Sequence, residues 1–254
     1  MGPGDAAPRP HNACIFTLVD ASVLALPTRQ HVMPLSDTYP PFNGSQDVTF
    51  YLYTQNNPVT PEFIKLDDDS TSPSFNPKNP TRLAIHGGRT SVQSILRFRE
   101  GYLSTGAELN VVLVDWSGLA AAEESVGVLS AVQVGDYVGQ LLNHLVSARG
   151  LDPDDLVILG HSMGGHVAAI AGNRLGGGLA SEVVALDPAS DIFDAFPLEN
   201  QLDASDAKFV QVIHTHGGGL GALESRGHAD FFPNGGSLQP GCSNGQLRPA
   251  LRSS

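Results

Sequence analysis

The sequence predicts one α/β domain whose mostly parallel central sheet is covered by helices on both faces. Short apolar runs bounded by polar residues or glycine alternate along the chain with longer segments of helical periodicity. This alternation is typical of parallel sheets built from strand-helix-strand units. The chain has 254 residues, of which 41% are hydrophobic, which is enough for one sizeable core.

Six segments have the composition of strands. Residues 48–54 are rich in β-branched and aromatic side chains, which favour a pleated, half-buried surface. The other five are short apolar runs, as expected of strands buried on both faces. They are residues 82–86, 110–116, 156–159, 183–186 and 209–213. The stretch 58–80 contains several prolines and three consecutive aspartates and is predicted to be a surface loop.

Helices are predicted between the strands. Residues 91–104 carry apolar side chains at helical spacing, and so do residues 126–148. A further helix follows the strand at 156–159, where small side chains would let the helix pack closely on the sheet. The longer helix, 126–148, has an inward apolar stripe made of Val134, Val138, Leu141, Leu142 and Leu145.

Charge and cysteine content exclude several classes of partner. With 14 Lys and Arg residues against 26 Asp and Glu residues, the net charge is -12. There is no basic block to bind a phosphate backbone, so nucleic acid is not an expected partner, and an anionic membrane surface would repel the chain. The two cysteines, Cys14 and Cys242, lie far apart without metal-ligand spacing. We expect no metal and no cofactor.

The N-terminal segment has two interpretations. Residues 13–26 are apolar except for three side chains, but they are fewer than the roughly 20 that span a bilayer. One interpretation is a degenerate secretory signal with a small-residue exit near Ala25, and the other is a first strand or a frayed end. We therefore expect an N-terminal segment, residues 1–46, with a proline-rich entry, followed by one α/β domain, residues 47–254.

A serine lies between glycines where a predicted strand gives way to a helix, in the motif Gly160-His161-Ser162-Met163-Gly164. A serine hydroxyl is a weak nucleophile unless it is exposed and paired with a base. A sharp strand-to-helix turn exposes it, and the flanking glycines leave room for strained backbone. An ordinary glycine-rich turn is the alternative, but this placement favours Ser162 as a nucleophile.

Two backbone donors and one acid are placed as acyl transfer requires. The N–H group of Met163, next after the serine, and that of Gly88, in a loop after an earlier strand, are candidates for an oxyanion hole. Asp187 directly follows the strand at 183–186, at the edge where catalytic side chains of open sheets gather. An ordinary turn at Gly88 and a turn-capping role for Asp187 are the alternatives. Serine, then acid, then histidine is the α/β-hydrolase order.

Several ordered motifs resemble the pancreatic lipase family, particularly its insect members that contain the lipase domain alone. GHSMGGHVAAIAG, ALDPAS and GHADFFPNGG carry the likeness, which covers roughly residues 47–242. The resemblance implies a secreted, extracellular α/β-hydrolase of the triacylglycerol lipase or phospholipase A1 type. It matches Ser162 to the nucleophile, Asp187 to the acid of the triad, and Gly88 and Met163 to the oxyanion hole.

The resemblance also bears on partners. It implies a lipid ester substrate, an acylglycerol or a phospholipid, together with transient contact at a lipid interface. We infer no stable protein partner, and the chemistry of a serine nucleophile needs no cofactor.

The chain departs from the family pattern at the catalytic histidine. In the family this residue follows the cysteine of the PGC motif and a lid loop, whereas here no histidine follows His228. The second cysteine of the lid is also absent, so we expect Cys242 to lack its usual partner and the C-terminal end of the fold to be incomplete. Smaller departures are Gly88, where the family usually has an aromatic residue, and His216, where it usually has aspartate.

Most histidines are expected to support structure. His216 is the unexpected histidine after Asp187, and it is the candidate for a replacement base. Those expected to pack or to support loops are His86, His161, His166, His214 and His228.

Three hypotheses about activity follow. In the first, the chain is an incomplete or alternatively ended form of a secreted lipase whose longer form hydrolyses lipid esters. In the second, it is a lipid-binding or storage protein that keeps the scaffold without turnover, as some yolk relatives do. In the third, His216 acts as the base.

Overall fold

The structure, a computed structural model, describes residues 39–190, 193 and 196–242. Strands β1 to β8 are, in chain order, Thr49–Tyr53, Glu62–Ile64, Thr81–Ile85, Asn110–Asp115, Leu156–His161, Glu182–Leu186, Phe209–Ile213 and Ala229–Phe231. They form one eight-stranded sheet in the order β2-β1-β4-β3-β5-β6-β7-β8. The stretch 13–26, and with it the prediction of a signal or a first strand, lies outside the described residues.

The sheet is mostly parallel, as predicted. Strands β3 to β8 run in one direction, and β1 is antiparallel to both of its neighbours. The register aligns the carboxyl ends of the central strands, because His161 pairs with Leu186 and Leu186 pairs with Ile213. Ile85 of β3 likewise pairs with Gly160. The residues that follow these positions therefore meet at one edge of the sheet.

All six predicted strands are present, with ends shifted by at most two residues. The surface-loop prediction for residues 58–80 is wrong in part, because Glu62–Ile64 form β2 and pair with β1. Strand β8 was not predicted. Each of these two strands has three residues, too few to show an alternating pattern, and each depends on hydrogen bonds from a longer neighbour.

Helices cover both faces, as predicted. In chain order, helices α1 to α5 are Gly44–Asp47, Leu96–Ser104, Ser117–Ala120, Glu124–Ser147 and Met163–Arg174. The segment 91–104 begins as a 3-10 turn at Val92–Ile95 before α2 starts, and the segment 126–148 forms most of α4. Helix α2 packs against one face of the sheet, whereas α4 and α5 pack against the opposite face.

The larger part of the core lies between the sheet and the α4/α5 pair. The predicted apolar stripe of α4 is fully buried, with 0% exposure at each of its five positions. The two helices approach closely because glycines of α4 face α5: a Cβ on Gly135 would lie 2.7 Å from Cβ of Ile170. Because α5 begins directly after Ser162, this packing also fixes the start of the helix next to the serine.

Two further observations concern the sequence predictions. Within the described part of the chain, no helix is both long and apolar enough to cross a membrane. Cys242 is disulfide-bonded, although the lid cysteine that is its usual partner in the family is absent from the sequence. The other cysteine of the sequence, Cys14, lies outside the described residues.

The α4/α5 contact gives a testable prediction about stability. Gly135→Ala should lower the free energy of unfolding, because overpacking typically costs about 1–3 kcal/mol and exceeds the roughly 1 kcal/mol gained in helix propensity. Gly101→Ala in α2 is the matched control, since a Cβ there has nothing within 4 Å and only the propensity gain remains. Urea unfolding measures both changes. Equal effects of the two substitutions would contradict the packing argument.

Candidate active site

Ser162 lies at a sharp turn between β5 and α5. Its φ of 55° and ψ of −124° are rare for a residue other than glycine and cost on the order of 1–3 kcal/mol. The Ser162 N–H donates to the Leu186 carbonyl at 2.9 Å, and the Ser162 carbonyl accepts from the Gly165 N–H at 2.9 Å. The serine side chain makes no capping hydrogen bond to α5, so the helix does not occupy its hydroxyl group. The turn predicted from the motif is present.

Glycine is required on both sides of the serine. A Cβ on Gly160 would overlap the carbonyl oxygen of Gly164, and a Cβ on Gly164 would lie 2.5 Å from the carbonyl oxygen of His86. These neighbours are backbone atoms, which cannot rotate away as a flexible side chain could. The first turn of α5 therefore rests directly on the backbone at the ends of β5 and β3.

The loop after β3 lies against this turn. A Cβ on Gly87 would lie 3.0 Å from Cβ of Ser162, and one on Gly88 would overlap the sulfur of Met163. The next residue, Arg89, has a φ of 54°, and its N–H donates to the Ala120 carbonyl at 2.7 Å. The loop thus brings Gly88 next to Met163, the two residues that the sequence predicted as donors.

A buried network holds the start of this loop. The His86 ring is fully buried, with Nδ1 2.8 Å from the Gly87 carbonyl and Nε2 3.1 Å from Oδ1 of Asp115. The Trp116 indole N–H donates to the His86 carbonyl at 2.9 Å. Burial raises the pKa of Asp115, but hydrogen bonds from His86 and Ser117 outweigh it and leave that pKa below its usual value. The carboxylate is therefore kept charged beside His86.

Sequence reasoning missed Asp115 and Trp116 as parts of this arrangement. The available signal was the end of the run at 110–116, where a carboxylate and an indole follow an apolar strand. Only the pairing of β3 with β4, which aligns Ile85 with Val114, shows that these side chains reach the loop after β3.

Asp187 follows β6 directly, and its φ is 46°. Its N–H donates to the Ile213 carbonyl at 2.7 Å. Its Oδ1 accepts two backbone hydrogen bonds, from Thr215 at 3.0 Å and from His216 at 2.8 Å. Because β5 and β6 are neighbours in register, Asp187 and Ser162 follow adjacent strands at the same edge of the sheet.

The described histidine rings mostly contact groups other than the serine. Nδ1 of His216 accepts from the Leu220 N–H at 3.3 Å, so this ring is turned toward its own loop. Nε2 of His214 lies 2.8 Å from Oδ1 of Asp230, and Nδ1 of His228 accepts from the Val210 N–H at 3.0 Å. Val210 lies near the amino end of β7, so His228 lies at the opposite end of that strand from Asp187.

His166 lies inside the protein, one turn into α5. Its Nε2 is 3.0 Å from the Ala189 carbonyl, and its ring stacks on Phe193 with centroids 3.7 Å apart. Its Nδ1 has no hydrogen-bond partner among the described residues. Burial lowers the pKa of His166 to about 4, with a further contribution from the charge of Arg226. His166 is therefore neutral at pH 7 and packs as the sequence analysis expected.

The described residues contain no group of three or more His, Cys, Asp or Glu side chains arranged to hold a metal ion.

The sheet order, the serine turn after β5 and the acid after β6 define an α/β-hydrolase fold. A match to the family described as Lipase spans residues 27–251, and the chain belongs to this family.

Curated relatives of the chain are pancreatic lipases and their related proteins. Pancreatic lipase-related protein 2 of Cavia porcellus is 38% identical over 205 residues, 77% of this chain and 47% of that protein. Pancreatic triacylglycerol lipase of Homo sapiens is 34% identical over 231 residues, 85% and 47% of the two chains. Inactive pancreatic lipase-related protein 1 of Homo sapiens is 36% identical over 207 residues, 78% and 44%. The chain thus spans about half the length of the curated relatives it matches.

Solved structures are more distant. Esterase 2 of Thermogutta terrifontis, phosphorylated by paraoxon, has a TM-score of 0.38 at 15% identity and covers 66% of this chain and 65% of its own. TT1662 of Thermus thermophilus has a TM-score of 0.39 at 18% identity and covers 54% and 66%.

The buried His166 gives a prediction about pH. The unfolded chain binds a proton near pH 6.5 and the folded chain near pH 4, so unfolding takes up a proton between these values. The free energy of unfolding should therefore fall as the pH falls through this window. His166→Gln, which stays neutral, should lack this component in urea unfolding measured from pH 7.5 to 4.5.

A second buried group, Asp206, has the opposite effect on stability, so the pH dependence of the wild-type protein has to be compared with that of His166→Gln. Burial raises the pKa of Asp206 to about 8, so the folded chain keeps a proton that the unfolded chain releases, and stability falls as the pH rises from about 4 to 8. The contribution of Asp206 is the same in the wild-type protein and in His166→Gln. The difference between the pH dependences of their free energies of unfolding is therefore due to His166. Identical pH slopes would refute the assignment.

Proposed function

We propose that the chain is a carboxylic ester hydrolase acting on lipid esters, with Ser162 as nucleophile and Asp187 as acid. One observation carries the proposal. The strained turn presents Ser162 at the carboxyl end of β5, against the glycine loop after β3 and beside β6, which Asp187 follows. Strained backbone of this kind persists only where the surrounding structure enforces it, and it concentrates at functional sites.

The chemistry assigned to the site is acyl transfer. The Ser162 hydroxyl attacks the ester carbonyl carbon, and the backbone N–H groups of Gly88 and Met163 donate to the oxygen that becomes negative in the tetrahedral intermediate. The N-terminus of α5 adds a partial positive charge at the same place. When the intermediate collapses, the ester C–O bond breaks and the alcohol leaves with the proton that the Ser162 hydroxyl gave up. Water then hydrolyses the acyl-serine, which releases the carboxylic acid and restores the serine hydroxyl.

The Asp187 carboxylate is suited to hold a cationic or proton-carrying partner. Two backbone N–H groups donate to its Oδ1, which fixes the plane of the carboxylate. An acid in this role orients and stabilises an imidazolium formed when a histidine takes the serine proton.

For the substrate we propose an acylglycerol or a phospholipid, met by transient contact with a lipid interface outside the cell. Family membership and the names of the relatives support this class. The triacylglycerol lipase type and the phospholipase A1 type are both included in this proposal.

A second candidate function is lipid binding without turnover. The observation that favours it is the engagement of the rings of His166, His214, His216 and His228 with groups other than Ser162. One relative is itself named inactive. A serine hydrolase site that lacks its base retains only about 10³ to 10⁴-fold acceleration over water, from the oxyanion hole and from binding.

The two functions are separated by labelling with a fluorophosphonate probe and by hydrolysis of p-nitrophenyl butyrate. If the first proposal holds, the wild-type protein is labelled and hydrolyses the ester, and Ser162→Ala loses both. Asp187→Asn should lower kcat by about 10⁴-fold. Binding of a fluorescent fatty acid, with neither labelling nor turnover, would reject hydrolysis in favour of lipid binding.

His216→Ala tests the replacement base in the same assays. Loss of labelling and turnover would assign the base to His216, whereas unchanged activity would remove it. His228→Ala is the matched control, because its ring contacts the amino end of β7 and its loss should leave kcat unchanged.

A further inference from the structure

The Met163 side chain lies between the glycine loop and α4. A Cβ built on Gly88 would have three atoms of Met163 as its nearest neighbours, with the sulfur in overlap. The thioether therefore fills the space that a side chain at position 88 would take. At the other end of the side chain, Cε of Met163 lies 3.4 Å from the position that a Cβ on Gly127 of α4 would take, an ordinary van der Waals distance. The side chain also packs against the main core.

The backbone on either side of Gly88 is fixed, but Gly88 itself has no side chain to anchor it. His86 is held by Asp115 and Trp116, and the Arg89 N–H is bound to the Ala120 carbonyl. Between these two anchors, the Gly87 carbonyl accepts from the Thr90 hydroxyl at 2.8 Å and lies 2.8 Å from Nδ1 of His86, which orients the peptide group that carries the Gly88 N–H. The Met163 side chain packs against Gly88 itself.

We propose that the Met163 side chain is a positioning group for the oxyanion hole. By packing between Gly88 and Gly127, it sets the distance of the Gly88 N–H from the N–H of Met163 itself. One residue then supplies a donor through its backbone and places the second donor through its side chain. This inference rests on the proposed function, because the spacing of the two N–H groups matters only if they bind an oxyanion.

The physical reason is the short range of the interaction. Oxyanion donors act at about 2.7–3.1 Å, and loss of a whole donor costs about 10² to 10³ in kcat. A loop displaced by a fraction of an ångström weakens the donor without removing it, so a smaller loss is expected. The effect falls on kcat and not on KM, because the donor is strongest toward the transition state.

Four variants test the proposal by kcat and KM for p-nitrophenyl butyrate: Met163→Ala, Met163→Leu, Gly88→Ala and the double variant Gly88→Ala/Met163→Ala. Met163→Ala should lower kcat by about 10-fold, a fraction of the loss for a missing donor, and should leave KM nearly unchanged. Met163→Leu, which refills the space, should recover most of that loss. Gly88→Ala should also lower kcat, because its methyl group meets the sulfur.

The double variant tests directly whether positions 88 and 163 are coupled. In the double variant, the shortened side chain at position 163 leaves room for the methyl group at position 88. The kcat of the double variant should therefore be about 10-fold or more above the value expected if the two single losses in kcat multiplied, a coupling expected only of groups in contact. Additive effects, or a loss from Met163→Ala that appears in Tm or KM but not in kcat, would overturn the positioning role.

Gly101→Ala is the matched control. It also adds a methyl group to a glycine, but it lies in α2, and nothing lies within 4 Å of the added Cβ, so it should raise Tm and leave kcat unchanged. A wild-type protein with no turnover and no labelling would reject the proposed function and this inference together. Turnover that depends on Ser162 but shows no coupling would reject this inference alone.

Discussion

The site depends on backbone packed directly against backbone, with no side chain between. Gly160, Gly164 and Gly87 stand where a Cβ would meet a carbonyl oxygen or the serine. Because they have no side chains, the first turn of α5 rests on the ends of β5 and β3, and Ser162 at this contact has a positive φ. The cost of that conformation is offset by the buried α4/α5 packing behind it. The serine turn and the buried core are thus parts of one arrangement.

Polar contacts at the ends of β3 and β4 hold the loop that carries Gly88. The charged Asp115 lies beside the buried His86 ring, and the Trp116 indole binds the His86 carbonyl, so the loop that carries Gly88 begins from a fixed point. The parallel register places this loop, the serine turn and Asp187 at the same edge. An edge of this kind is where open α/β sheets bind ligands. The fold therefore gathers polar groups from several strands that are distant in sequence.

The fold of the chain builds the site but does not by itself establish activity. The turn, the loop and the acid are all built by the fold, and family membership accounts for them. In the proposed mechanism a histidine ring takes the serine proton. The rings of His166, His214 and His216 lie within hydrogen-bonding distance of the Ala189 carbonyl, Asp230 and the Leu220 N–H, so the packing that forms the serine turn does not by itself establish turnover.

The sequence by itself determined the class of fold and the order of its main elements, because hydrophobic periodicity is local and each long strand or helix shows it within a few residues. It also located Ser162, since a serine flanked by glycines at a strand end is a local pattern. Only the tertiary structure decided the three-residue strands β2 and β8, whose existence depends on hydrogen bonds from a neighbour, and the disulfide at Cys242. The roles of Asp115, of Trp116 and of the Met163 side chain were likewise invisible in sequence, because their partners lie on other elements and contact them only when the sheet has assembled.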